Sequence, residues 1–253
     1  MLGCPPARRS PDRRERRIAT SVRAWSTLLA LTVLATGLAG SARAADPPAF
    51  GTGFAVRADG WILTSAQVVA DARALAVTCP GREKTAAVLD HFVKRLDIAL
   101  LRIEQQGLPY LTFSLSISVA EMVLVGDNVA TVVYLKSTDG KIAATPAIAT
   151  VTALAGPGNS PEFLQLAMPA DRRDPGAAVV SARGDVVGIL TTAAAIKEHV
   201  DPSAPPSPNV TWAVKGQVVL RLFVPPPPID PTRSLQDATE RTRRATCLIE
   251  VTR

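Results

Sequence analysis

The sequence predicts an all-β protein with a few short helices, and three observations carry that prediction. Its apolar runs are short and rich in strand formers, as in Phe54-Ala55-Val56 and Trp61-Ile62-Leu63. Turn residues punctuate the runs at Asp59-Gly60, Pro80-Gly81 and Gly156-Pro157-Gly158-Asn159. No internal repeat, coiled-coil heptad or low-complexity array competes with this reading. A chain of 253 residues that is 47% hydrophobic holds enough apolar material for one large core or two smaller ones. Aromatic residues make up only 4%, so that core is built from Ala, Val, Ile and Leu.

The elements follow in order. Gly51 to Val69 reads as a β-hairpin around Asp59-Gly60, its second strand running through Thr64-Ser65 into a short helical piece. Ala74 to Cys79 alternates as a strand and stops at Pro80-Gly81; Thr85 to Leu89 and Arg95 to Ile103 supply two more. Gly107 to Val119 crosses to a second β-rich half. That half starts at Met122 to Gly126 and Asn128 to Leu135 and continues with Ile142 to Leu154 and Glu162 to Met168. Gln217 to Phe223 fits an amphipathic helix, Pro225 to Pro228 a stiff spacer, Ser234 to Ala245 a helix capped by Ser234, and Thr246 to Val251 a final strand.

Charge narrows the function classes. The net charge of +6 lies wholly in residues 1–44, where eight arginines face Asp12 and Glu15; the remainder balances 20 basic against 20 acidic residues. Nothing electrostatic therefore argues for nucleic-acid binding. The same 44 residues are laid out as an export signal. An Arg-rich start is followed by an apolar stretch from Trp25 to Gly40 and by Ser41-Ala42-Arg43-Ala44, with cleavage expected after Ala44. The other reading is a retained anchor, but the apolar stretch is short and interrupted for a span needing about 20 apolar residues. The mature chain is thus expected to be secreted or periplasmic, without stable membrane insertion. Of the cysteines Cys79 and Cys247 left in it, an exported pair suggests a disulfide; two separate buried thiols are the alternative.

Three stretches resemble the trypsin-like serine proteases of the HtrA/Deg branch. GTGF…DGWILTSAQVV (from Gly51) is similar to GSGF…DGYILTNAHVV, and DIALLRI (from Asp97) to the strand after that family's catalytic aspartate. DRRDPGAAVVSARGDVVGIL (from Asp171) is similar to the N-P-G-N-S-G-G-P-L-V block around its nucleophile, and Val210 to Val214 to the strand bordering its specificity pocket. The resemblance implies two six-stranded antiparallel β-barrels, about 50–106 and 119–224, within a protease-fold domain at 45–224. A Pro-rich linker at 225–233 and a helix-strand tail at 234–253 follow.

The resemblance also places the catalytic positions. The histidine falls on Gln67, the aspartate on Asp97 and the nucleophilic serine on Pro175, with Arg173 in place of an oxyanion-hole glycine. Glutamine cannot take up a proton near neutral pH, so Asp97 is expected as a structural relic hydrogen-bonded to Gln67. Proline offers neither a nucleophile nor a backbone N–H. Ser65 in the turn before Gln67, Ser181 on a strand beyond Pro175, His91 and His199 are the remaining candidates for a rearranged hydrolase site, and none stands in a motif with a base. The expectation is a non-catalytic protease-fold protein that binds protein or peptide. No cofactor is implied, since metal-ligand spacings and a phosphate loop are both missing. A serine hydrolase with a rebuilt site is the alternative.

Members of the family begin with a helix and a strand ahead of the hairpin, whereas here that pattern stands at the tail. Either the tail supplies the first strand of the first barrel, or it opens a truncated second copy. In the first case the resemblance implies a Cys79–Cys247 disulfide.

Overall fold

The computed structural model describes residues 49–113, 123–169, 172, 174–192, 209–225 and 227–253. The expected leader at 1–44, Arg173, His199 and the strand start at Met122 lie outside the described residues.

Barrel 1 is built from β1 (Ala49–Arg57), β2 (Trp61–Thr64), β3 (Ala74–Thr78), β4 (Thr85–Val93), β5 (Ile98–Ile103) and the last strand of the chain, β12 (Thr246–Thr252). They close in the order β1-β12-β3-β4-β5-β2. Barrel 2 holds β6 (Asn128–Lys136), β7 (Ile142–Ala153), β8 (Phe163–Ala167), β9 (Ala178–Val180), β10 (Val186–Thr191) and β11 (Val210–Lys215), closed as β10-β11-β8-β7-β6-β9. All pairs within both barrels are antiparallel.

The β1–β2 hairpin forms because Gly60 takes φ +95, and a side chain there would sit 2.1 Å from the Ile103 carbonyl oxygen. Only glycine suits that turn. Phe54 then faces Leu63 across the pair. β5 explains its own unbroken apolar run. Ala99, Leu101 and Ile103 fill barrel 1, while Ile98 and Leu100 belong to a layer shared with barrel 2, so both faces are buried. That shared layer also takes Phe54, Leu63, Phe163, Ile189 and Val214, and it continues into Ala238 and Ala245 of the tail helix. Barrel 2 keeps its own interior of Val129, Val133, Leu164, Leu166, Val179 and Leu190.

The tail helix, Leu235–Ala245, is capped by Ser234, whose hydroxyl accepts the Asp237 N–H at 3.1 Å. Ahead of it, Thr232 pins the linker to barrel 2, its N–H donating to the Arg183 carbonyl at 2.7 Å and its hydroxyl to Ala182 at 2.6 Å. β12 then enters barrel 1 with Gly53 opposite Cys247 on one side and Thr78 opposite Leu248 on the other. Cys247 is bonded to Cys79, closing a sequence separation of 168 residues.

Three local expectations need correcting. The helix expected over Gln217 to Phe223 is a single turn, Gly216–Val219, after which Leu222 and Phe223 pack on the shared core and Phe223 meets Phe113 edge-on at 5.8 Å. Leu220 N–H donates to the Gly216 carbonyl and Leu222 N–H to the Val219 carbonyl, and core contacts hold the rest of that apolar run. Residues 123–127 form a turn rather than a strand, with Gly126 N–H donating to Val151. Ser181 follows β9 in the turn to β10 rather than lying on a strand.

Candidate functional site

The site is assembled by the end of β2, the turn before β5, the end of β10 and the turn before β9. Ser65 caps the one-turn helix Ala66–Val69 (α1), and its hydroxyl both accepts the Gln67 N–H at 3.1 Å and donates to Asp97 Oδ1 at 2.6 Å. Asp97 stands at φ +54, a left-handed conformation that Asp tolerates better than most residues. That geometry turns its carboxylate under α1. Oδ1 also accepts the Gln67 N–H at 2.9 Å, while Oδ2 accepts the Thr191 hydroxyl at 2.7 Å. Burial raises the Asp97 pKa above the ordinary carboxylate range, partly offset by the Ser65, Thr191, Gln67 and Ala66 donors.

Gln67 itself is exposed, and its side chain does not reach Asp97 as the sequence suggests. Its Oε1 instead accepts the Thr192 hydroxyl at 3.0 Å. The consecutive threonines Thr191 and Thr192 of barrel 2 thereby hold Asp97 and Gln67 of barrel 1.

The second half of the site is the turn Asp174-Pro175-Gly176. Gly176 takes φ +92, and a Cβ there would lie 2.5 Å from the Thr52 carbonyl oxygen, 2.6 Å from Thr64 Oγ1 and 2.7 Å from Ser65 N. The turn is therefore pressed against the segment that carries Gln67. Gly176 N–H donates to the Leu190 carbonyl at 2.9 Å, and Leu190 N–H returns a bond to Ala177. Pro175 has no N–H, and that of Gly176 is already used. Neither amide is available to a developing oxyanion.

Asp174 points back to β1. Its Oδ2 accepts the Thr52 hydroxyl, whose oxygen in turn accepts the Tyr134 N–H at 2.8 Å. Burial pushes the Asp174 carboxyl up to about 6, the Thr52 hydroxyl and amide pulling the other way. Among the described residues no cation is seen paired with it.

Among the described residues the other sequence candidates do not assemble into a reactive centre. Ser65 is fully buried and its proton is directed at Asp97. His91 sits on β4 against the Asp90 carboxylate. Ser181 accepts the Arg183 N–H. Among the described residues no group of three or more His, Cys, Asp or Glu side chains could hold a metal ion. Sequence reasoning missed Thr52, Asp174, Thr191 and Thr192. Only Asp174, placed directly before Pro175, carried any signal of its position.

Residues 51–189 match the family described as "Trypsin-like peptidase domain". The match covers more than half of the sequence. The chain belongs to that family. Its relatives include members of the HtrA branch. It is 32% identical over 149 residues to serine protease HTRA2, mitochondrial, of Bos taurus, covering 57% of this chain and 32% of that protein. It is 40% identical over 67 residues to a probable periplasmic serine endoprotease DegP-like of Ectopseudomonas mendocina, covering 26% of this chain and 14% of that one. An uncharacterized protein y4bJ of Sinorhizobium fredii is 28% identical over 166 residues, covering 66% of this chain and 25% of that protein. Among solved structures, HtrA-type protease AlgW with decapeptide superposes with a TM-score of 0.53 at 20% identity, over 75% of this chain and 51% of that one. This trypsin-like peptidase domain thus spans a third or less of each of these three curated relatives.

Proposed function

We propose that this trypsin-like peptidase domain is an exported, periplasmic or secreted, protein that keeps the protease scaffold without its chemistry and binds extended protein or peptide segments. The observation that carries the reading is the turn at Pro175. Through Gly176 it packs against Thr52, Thr64 and the amide of Ser65, and the positions that the family resemblance gives to the nucleophile and the base hold Pro175 and Gln67. A proline has no side-chain nucleophile, a glutamine is no base near neutral pH, and the Pro175 position supplies no amide donor. Loss of either catalytic side chain alone costs on the order of a million-fold in comparable chemistry. The retained Asp97 network then has a structural task, tying α1 to barrel 2.

What is left at the site are hydrogen-bonding side chains at strand ends, with Gln67 exposed among them. Extended peptides dock on protease-like scaffolds by main-chain pairing of this kind. Export is supported by the Arg-rich, apolar, Ala-x-Ala layout of residues 1–44 and by the disulfide, which persists in oxidising compartments.

The test uses the immobilised protein and a permanently unfolded chain, reduced and carboxymethylated α-lactalbumin. Retention of that chain, recovered uncut by mass spectrometry, is the expected result. New termini in the recovered chain, or no retention at all, would overturn the proposal.

A further inference from the structure

The Gln67 side chain has one end fixed and the other open. Its Oε1 accepts the Thr192 hydroxyl at 3.0 Å, and among the described residues its Nε2 has no hydrogen-bond partner. The backbone beneath it is rigidly placed, since the Gln67 N–H is shared between Ser65 Oγ and Asp97 Oδ1. The amide group is thus held at both its root and its oxygen, across two barrels, on a residue that is exposed.

A neutral carboxamide oriented in this way is a hydrogen-bond donor that does not titrate in the physiological range. The group that complements it is a carbonyl oxygen, and an extended peptide offers one at alternate positions along its edge. We propose that Gln67 reads the ligand: its Nε2 donates to a main-chain carbonyl oxygen of the bound peptide, with Thr192 as the residue that positions the amide. This rests on the peptide-binding reading above and adds to it the contact and its chemistry. The position where a protease of this family would remove a proton has become one that offers a fixed donor.

Thr192 matters because the amide is symmetrical in outline. With the Thr192 hydroxyl donating to Oε1, the nitrogen is turned outward. Were the amide reversed, Gln67 would instead present an acceptor to a peptide N–H. The isosteric variant Gln67→Glu separates the two, because a carboxylate keeps the shape, offers two acceptors and no donor, and repels a carbonyl oxygen.

The experiment measures binding of fluorescein-labelled, reduced and carboxymethylated α-lactalbumin to the full protein by fluorescence anisotropy between pH 5 and 8. For the wild type the expected affinity is flat with pH at this contact. Gln67→Glu weakens it about tenfold or more at pH 7, the size expected for one lost hydrogen bond plus a repulsion. Gln67→Ala weakens it less, and Thr192→Val lies between wild type and Gln67→Ala. Gln67→His introduces a titration near the ordinary histidine range, with tighter binding on the acid side where both ring nitrogens donate. Melting temperatures close to wild type for the Gln67 variants keep the reading on binding, since that side chain is exposed. Binding by Gln67→Glu equal to or tighter than wild type would overturn this inference while leaving peptide binding intact. Failure of the wild-type protein to bind would overturn both.

Discussion

The two barrels have kept different things. Barrel 1 retains a complete polar network around its buried carboxylate, with Ser65, Gln67 N–H and Thr191 all directed at Asp97. It is also sealed by a strand from the far end of the chain and by the Cys79–Cys247 disulfide. Barrel 2 closes with strands consecutive in sequence, and its contribution to the site, the Asp174-Pro175-Gly176 turn, buries a carboxylate that meets no cation among the described residues. The difference is one of constraint: the Asp97 network ties the two barrels together, whereas the Asp174-Pro175-Gly176 turn is fixed by its contacts with Thr52 and Leu190.

Breaking the seal of barrel 1 is expected to have the largest effect. Cys79→Ser with Cys247→Ser removes a cross-link over 168 residues, which chain-entropy arguments place at about 4–5 kcal/mol. Urea melts should lose about that much, with β12 and the tail helix exchanging amide hydrogens first. Coincident loss of both barrels at an unchanged midpoint would show the tail to be a minor part of barrel 1.

Asp97→Ala comes next. It leaves the Ser65 hydroxyl, the Gln67 amide and the Thr191 hydroxyl without their buried acceptor, at about 3 kcal/mol. A change below about 0.5 kcal/mol would contradict a structural role for this carboxylate.

The barrel 2 turn predicts an effect of opposite sign. Because the folded Asp174 carboxyl lies at about 6 against an ordinary 3.8, the folded state favours the protonated form. The contribution of this carboxyl to stability is most favourable below about pH 4, falls as pH rises through about 6, and is flat above that. Asp174→Asn keeps an acceptor for the Thr52 hydroxyl and removes the charge. It should raise stability at pH 7 by about 1–2 kcal/mol and have little effect at pH 4. Thermal melts across pH 4 to 8 check this, and a destabilised variant at pH 7 would refute the sign.

Much of the fold was legible because local chemistry and burial agree along it. The hairpin announces itself through Asp59-Gly60 between apolar runs, and β5 through an apolar run buried on both faces. The run Gln217 to Phe223 misled because its apolar period suits a helix, while packing of Leu222 and Phe223 against the shared core holds it otherwise. At the site, Gln67 and Asp97 were legible by position. Their partners were not, since a single threonine at a strand end has no signature, and Thr52 meets Asp174 across 122 residues.

The most direct test of catalytic inertness is exposure of the purified protein to a fluorophosphonate probe, read by intact mass and peptide mapping. The account predicts no adduct on the wild-type chain. A stoichiometric adduct on Ser65, Ser181 or any other serine would contradict it.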